Sequence, residues 1–235
     1  MDTALKEPRL KLYTIFAGLF GVILVLSATT SVKIFAIGPF TLPGGVIFFP
    51  LVFIFNDILT EVYGYALSRR IIWTGLFCYI LAGVTYLIVQ ALPPASFWPH
   101  QEAYTQILGF APRIMFGGLI AYFCGEFANS YILSKMKFKQ GGLRGIKQGW
   151  RFVASTMVGE GVDSFIIMII AFYGVIPLSA LFTTMATLYV VKVVYEIIAL
   201  PFSTRLANWV KRVEGIDVID TPETTNYSPF KSITS

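Results

Sequence analysis

An all-α membrane protein with six spanning helices is the fold class predicted by three observations on these 235 residues. First, 56% of them are hydrophobic and only 13% are charged, against roughly 25% charged in an ordinary soluble domain. Second, apolar runs of about 20 residues recur along the chain, each long enough to cross about 30 Å of hydrocarbon. Third, lysines and arginines gather in alternate connections, the distribution that sets membrane topology.

The elements follow in order. Segment 1–11 is polar, with Lys6, Arg9 and Lys11, and the first span runs from Leu12 to Thr30. A secretory signal peptide has this charge order, but its apolar core is shorter. A Pro/Gly-containing connection, Ser31 to Gly45, leads to the second span, about Val46 to Tyr65. Pro50 falls near its first turn, where a missing N–H costs least, and Arg69-Arg70 closes it. The third span, Ile71 to Leu92, is almost free of polar groups, reads as scaffold and ends at Pro93-Pro94. Trp98 and Tyr104, in the loop Ala95 to Pro112, suit the membrane–water interface. In the fourth span, Arg113 to about Leu133, Gly117, Ala121 and Gly125 form a stripe for close helix packing, with Glu126 and Asn129 just beyond. Lys135, Lys137, Lys139, Arg144, Lys147 and Arg151 fill the next connection, Ser134 to Arg151, with no acid among them. Span five, Phe152 to about Tyr173, carries Ser155, Glu160 and Asp163; span six, about Ala180 to Ala199, carries Lys192 and Glu196 and stops at Pro201. The reading is thus an N-terminal segment 1–11, a six-helix domain 12–202, and a polar tail 203–235 that is partly disordered.

The basic connections put both termini in the cytoplasm. Because the net charge of +5 falls in those connections, membrane topology accounts for it and nucleic acid is not needed as a partner. Cys78 and Cys124 sit mid-span, where they pack rather than cross-link, and the single histidine, His100, cannot make a metal site alone. No HExxH, paired CxxC or P-loop occurs, so neither metal nor cofactor is expected. ATP use would require a partner ATPase, and association into a homo-oligomer is left open.

Function is sought in the charges that the spans carry. Asp57, Glu61, Glu126, Glu160, Asp163 and Glu196 lie within spans, against Lys192 and, at an outer edge, Arg113. Asp57 and Glu61 are four apart, hence on one helical face with Asn56 beside them. Counting about 1.5 Å per residue from the outer face puts Asp57, Glu126 and Lys192 at roughly 18 to 20 Å depth. The same count from inside puts Glu160 and Asp163 at roughly 13 to 19 Å. Four helices therefore share an acid-rich slab near the midplane, where transporters bind substrate. Structural ion pairs explain single residues, but one or two bases cannot neutralise six acids. The remainder must be protonated, wet, or matched by a cation or a donor-rich ligand. A flat heterocycle with adjacent N–H donors fits a carboxylate through two parallel bonds. An acid-lined cation or proton channel is the alternative. An intramembrane aspartyl protease using Asp57 and Asp163 lacks the sequence context such enzymes need.

The run FFPLVFIFNDILTEVYGYALSRRII resembles the bacterial queuosine-precursor transporters of the vitamin uptake type. The likeness continues through QEAYTQILGFAPRI, AYFCGEFANSYILSKMK, VASTMVGEGVDSF and LYVVKVVYEIIALP. It implies six helices arranged like the substrate-binding subunit of energy-coupling vitamin importers. It also implies import of 7-deazaguanines such as preQ0 and preQ1 across the inner membrane for salvage into tRNA queuosine. Asp57, Glu61, Arg113, Ser155, Asp163 and Lys192 match the family's polar positions. Glu126 and Glu160 stand where the family suggests Gln, Asn129 where it suggests Asp, and Gly118 where it suggests Ser.

Overall fold

The computed structural model describes residues 10–37, 40–109, 112–174 and 177–230, so most of the expected N-terminal segment and residues 231–235 lie outside it. Among the described residues the apolar runs become seven helices. These are α1 (Tyr13–Thr30), α2 (Phe49–Tyr63), α3 (Tyr65–Ala91), α4 (Gln101–Leu108), α5 (Pro112–Lys139), α6 (Ile146–Ile167) and α7 (Leu178–Glu214). A 3-10 turn, Gly44–Ile47, leads into α2, and a π-helical stretch, Met168–Phe172, prolongs α6. The first connection folds into a short antiparallel hairpin, β1 (Ile34–Ile37) against β2 (Phe40–Pro43), with Ile34 opposite Pro43.

Five segments are long and apolar enough to cross a membrane: Tyr13–Thr30, Gly44–Tyr63, Tyr65–Ala91, Ile146–Phe172 and Leu181–Glu214. Helix α5 is 28 residues long but carries Glu126, Asn129, Ser130 and Ser134 along its buried face, which dilute its apolar character. On α1 the exposed residues Ile15, Leu19, Val22 and Leu26 recur at helical spacing, as do Phe77, Leu81, Val84 and Ile88 on α3. Apolar stripes of this size are costly in water and suit a hydrocarbon surround.

Helix α2 is central: twelve of its 15 residues are buried, against α1, α5 and α7. Helices α5 and α6 form the closest pair because Gly125 and Gly159 face each other. A methyl on Gly159 would lie 2.8 Å from the Asn129 Cβ and 2.8 Å from the Phe53 ring. The absence of those atoms is what lets α2, α5 and α6 converge.

Several boundaries differ from the sequence reading, each for a local reason. The second span ends at Gly64 rather than at Arg69-Arg70. Gly64 takes φ 80°, which a side chain resists, and α3 begins on the next residue. The third span therefore starts at Tyr65, and Arg69 is a buried member of its first turns. The loop after Pro94 contains α4, which buries no residue. The sixth span does not stop at Pro201, which is exposed and accommodated inside α7. Ser203, Ala207, Val210 and Lys211 continue one buried face at helical spacing, and this packing carries the helix on to Glu214.

The tail from 215 to 230 is a strap rather than a loose end. Gly215 closes α7 in the left-handed conformation. The chain then returns across the ends of α2, α3 and α5. Val218 N–H donates to the Val62 carbonyl at 3.1 Å, and the Asp220 carboxylate accepts the Tyr65 N–H at 2.9 Å, capping α3. Ser134 donates to the same Asp220 oxygen at 2.6 Å. Arg69 donates to the carbonyls of Asn226 and Ser228, and the Trp73 indole N–H donates to that of Pro229. The rings of Tyr227 and Phe230 pack on Tyr65 and Trp73.

Candidate substrate site between the helices

Two polar clusters lie inside the bundle. The first joins α2, α5, α6 and α7. Asp57 is fully buried; its Oδ1 accepts from the Asn129 amide at 2.7 Å and the Ser155 hydroxyl at 3.4 Å, and its Oδ2 from Thr156 at 3.3 Å. Beside it, the Asn56 amide donates to the Glu126 backbone carbonyl at 3.2 Å and accepts from Ser130 at 3.0 Å. These bonds fix the register of α2 against α5 and α6.

Across the cluster, Glu160 and Asp163 stand one turn apart on α6 and share Lys192 of α7, at 2.7 and 2.8 Å. The ammonium also rests 4.0 Å from the centre of the Phe49 ring. Lys192, at 9% exposure, is the least buried member. Two carboxyl groups contrast with the rest. Glu126 and Glu196 are buried, and among the described residues neither oxygen of either has a partner in hydrogen-bond geometry. Glu126 lies within electrostatic reach of Glu160, Asp163 and Lys192, and Asp57 within reach of both Glu126 and Glu196. The cluster thus holds five carboxyl groups and one amine. A buried polar group without a partner costs about 1–3 kcal/mol, and more when charged.

The second cluster closes one end of the bundle. Arg151 grips Glu61 with two parallel bonds, Nε to Oε2 at 2.8 Å and a terminal nitrogen to Oε1 at 2.5 Å. Lys211 adds a third contact at 2.5 Å and also reaches Asp217 at 2.9 Å. Lys137 pairs with Asp217 at 2.6 Å, donates to the Val218 carbonyl at 2.6 Å, and donates to the Glu61 backbone carbonyl. Partial burial works against ionisation of Asp217, yet hydrogen bonds from Lys137 and Lys211 hold its carboxyl below the usual range.

The residues picked from sequence therefore divide. Asn56, Asp57, Glu126, Asn129, Ser155, Glu160, Asp163, Lys192 and Glu196 lie in or around the first cluster. Glu61 belongs to the second, where Arg151, Lys211 and, at 3.5 Å, the Gln148 amide all donate to its carboxylate. Arg113 lies in α5, and its side chain is outside the described set. Lys137, Arg151, Lys211 and Asp217 were not singled out; their basic members read as topology signals, and their acidic partners lie far along the chain. Thr156 was also missed, although it sits one position from Ser155. Among the described residues no group of three His, Cys, Asp or Glu side chains is arranged to hold a metal ion.

The profile of a family described as "putative vitamin uptake transporter" matches residues 43–206, more than half of the chain. A "probable queuosine precursor transporter" of Bacillus subtilis (strain 168) is 28% identical over 161 residues, covering 68% of this chain and 69% of that one. A protein of the same description from Haemophilus influenzae is 27% identical over 130 residues, covering 55% of this chain and 51% of that one. No solved structure matches. The matched region contains α2, α3, α5 and α6 and every residue of the first cluster, and the chain belongs to the vitamin uptake transporter family: it is a transporter, not an enzyme.

Proposed function

We propose that this protein imports queuosine precursors, 7-deazaguanines such as preQ0 and preQ1, across the bacterial inner membrane for salvage into tRNA. In this reading the chain crosses the bilayer six times, α5 adding a sixth span to the five long apolar segments, with both termini in the cytoplasm as the basic connections indicate. The substrate binds in the first cluster. The observation that carries the proposal is the pair of buried, unpartnered carboxyl groups, Glu126 and Glu196, flanking Asp57. A deazaguanine offers a ring N–H and an exocyclic amine side by side, the geometry that a carboxyl group accepts through two parallel bonds. Lys192 can donate to the ring carbonyl, and Phe49 and Phe53, 5.7 Å apart, offer aromatic faces on the α2 side. Asn129, Ser155 and Thr156 hold Asp57 in place, Asn56 ties the neighbouring turn to α5, and Glu61 with its three partners shuts the inner end. The relatives described as queuosine precursor transporters support the choice of substrate class.

The test is uptake. Cells unable to synthesise queuosine are given labelled precursor, with and without this protein, and queuosine in tRNA is measured. The protein should restore the modification, and Asp57→Asn, inserted at equal abundance, should reduce it by tenfold or more. Unchanged tRNA in the presence of abundant protein would sink the proposal. A conductance that persists without any deazaguanine would favour an acid-lined cation pathway instead.

A further inference from the structure

We infer that the site takes its substrate as a cation, with Glu126 and Glu196 selecting a deazaguanine that bears a protonated aminomethyl group over one that bears a nitrile. The inference rests on the substrate class proposed above and deepens it. Its starting point is a partner-by-partner account of the five carboxyl groups. Glu160 and Asp163 are matched by Lys192. Asp57 is matched by three neutral donors, Asn129, Ser155 and Thr156. Among the described residues, Glu126 and Glu196 have no partner in hydrogen-bond geometry although both are buried; Asn56 and Lys192 act on Glu126 only from nearby.

A neutral deazaguanine donates through its ring N–H and amine at one edge and through its pyrrole N–H at another, but it brings no charge. It leaves the charge of a second ionised acid uncompensated. An aminomethyl group lies on the five-membered ring, away from the amine edge, and brings a positive charge with three donors. Such a molecule can meet two carboxyl groups at once, one at each end. The nitrile donates nothing; its nitrogen is an acceptor, meets a second carboxyl group only where that group keeps its proton, and brings no charge to offset an ionised one. Selectivity then arises from repulsion of the wrong substrate as well as from attraction of the right one. Lys192 does not cancel the preference, because Glu160 and Asp163 already hold it from two sides.

The experiment is a competition in whole cells or proteoliposomes. Labelled nitrile and labelled aminomethyl precursors are each offered with the other as unlabelled competitor, for the wild-type protein and for Glu126→Gln, with membrane abundance measured in parallel. A charge-assisted bond contributes about 1.5–3 kcal/mol, so the wild type should favour the aminomethyl precursor by roughly tenfold or more. Glu126→Gln should bring the ratio toward one, because the amide offers no charge to the ammonium and can donate to the nitrile nitrogen. Equal uptake by the wild type, or an unchanged ratio in Glu126→Gln, would overturn the inference. Uptake of neither precursor by abundant wild-type protein would overturn the substrate reading beneath it. If Glu126→Gln does not reach the membrane, the wild-type ratio decides alone, and a value near one overturns the inference.

Discussion

Gly159 and Lys192 mark the two ways a single side chain can matter inside this bundle. Adding a methyl at Gly159 drives it into the Asn129 Cβ and the Phe53 ring, both on helices that have no slack. Gly159→Ala should cost about 1–3 kcal/mol by overpacking and lower the thermal midpoint in detergent. Gly161, two residues on, is the control: its nearest neighbour would be the Tyr189 ring at an ordinary 3.6 Å, so Gly161→Ala should leave the midpoint unchanged or raise it. Lys192 acts through charge. Lys192→Met leaves Glu160 and Asp163 side by side with no cation, and breaking a buried pair in this way costs about 3–5 kcal/mol. The same measurement checks it: a midpoint equal to wild type would mean that the trio contributes nothing to the fold.

At the level of helices, the inner cluster ties α2, α5, α6 and α7 through Glu61, Lys137, Arg151 and Lys211. Arg151→Gln removes both bonds of the parallel pair and leaves Glu61 with Lys211 and Gln148. The expected result is a loss of several kcal/mol and faster protease cleavage at the strap. Asp217 adds a pH dependence with a definite sign. Its folded value lies below the ordinary 3.8, so its contribution is fully present above that value and is lost as pH falls through the still lower folded one. Proteolysis of the strap should therefore be flat at neutral pH and rise only in that acid range. This level was the hardest to read from sequence. The basic residues between α5 and α6 look like loop charges because topology counting ignores partners. Lys211 meets Glu61 across 150 residues, a distance over which no local pattern speaks. Pro201 looked like a stop, although the apolar and small residues at helical spacing beyond it were already a sign of continuation.

For the whole molecule, more was legible. Apolar runs located all six long helices described, and α1 and α2 to within three residues at both ends, because burial in hydrocarbon demands length and composition that short-range pattern displays directly. The exceptions came from backbone chemistry, as at Gly64, and from α5, whose buried face is polar enough to blur its span. The depth count placed Asp57, Glu126, Glu160, Asp163 and Lys192 at a common level, and their side chains do lie in one cluster. What it could not supply was the pairing: which carboxyl groups Lys192 holds, and which are left bare, depends on rotamers and helix rotation. The strap carries a consequence for biosynthesis. Asp220 caps a helix that begins 155 residues earlier, so the start of α3 stays uncapped until everything through α7 has been translated. Closure of the bundle is therefore a post-insertion event. A chain stopped after Gly215 should insert normally yet turn over faster in the cell, and a pulse-chase comparison with the full chain measures the difference. Equal lifetimes would mean that the strap is only decoration on a bundle already complete. A shorter one would make the strap a checkpoint, by which the cell's proteases distinguish finished transporter from nascent chain.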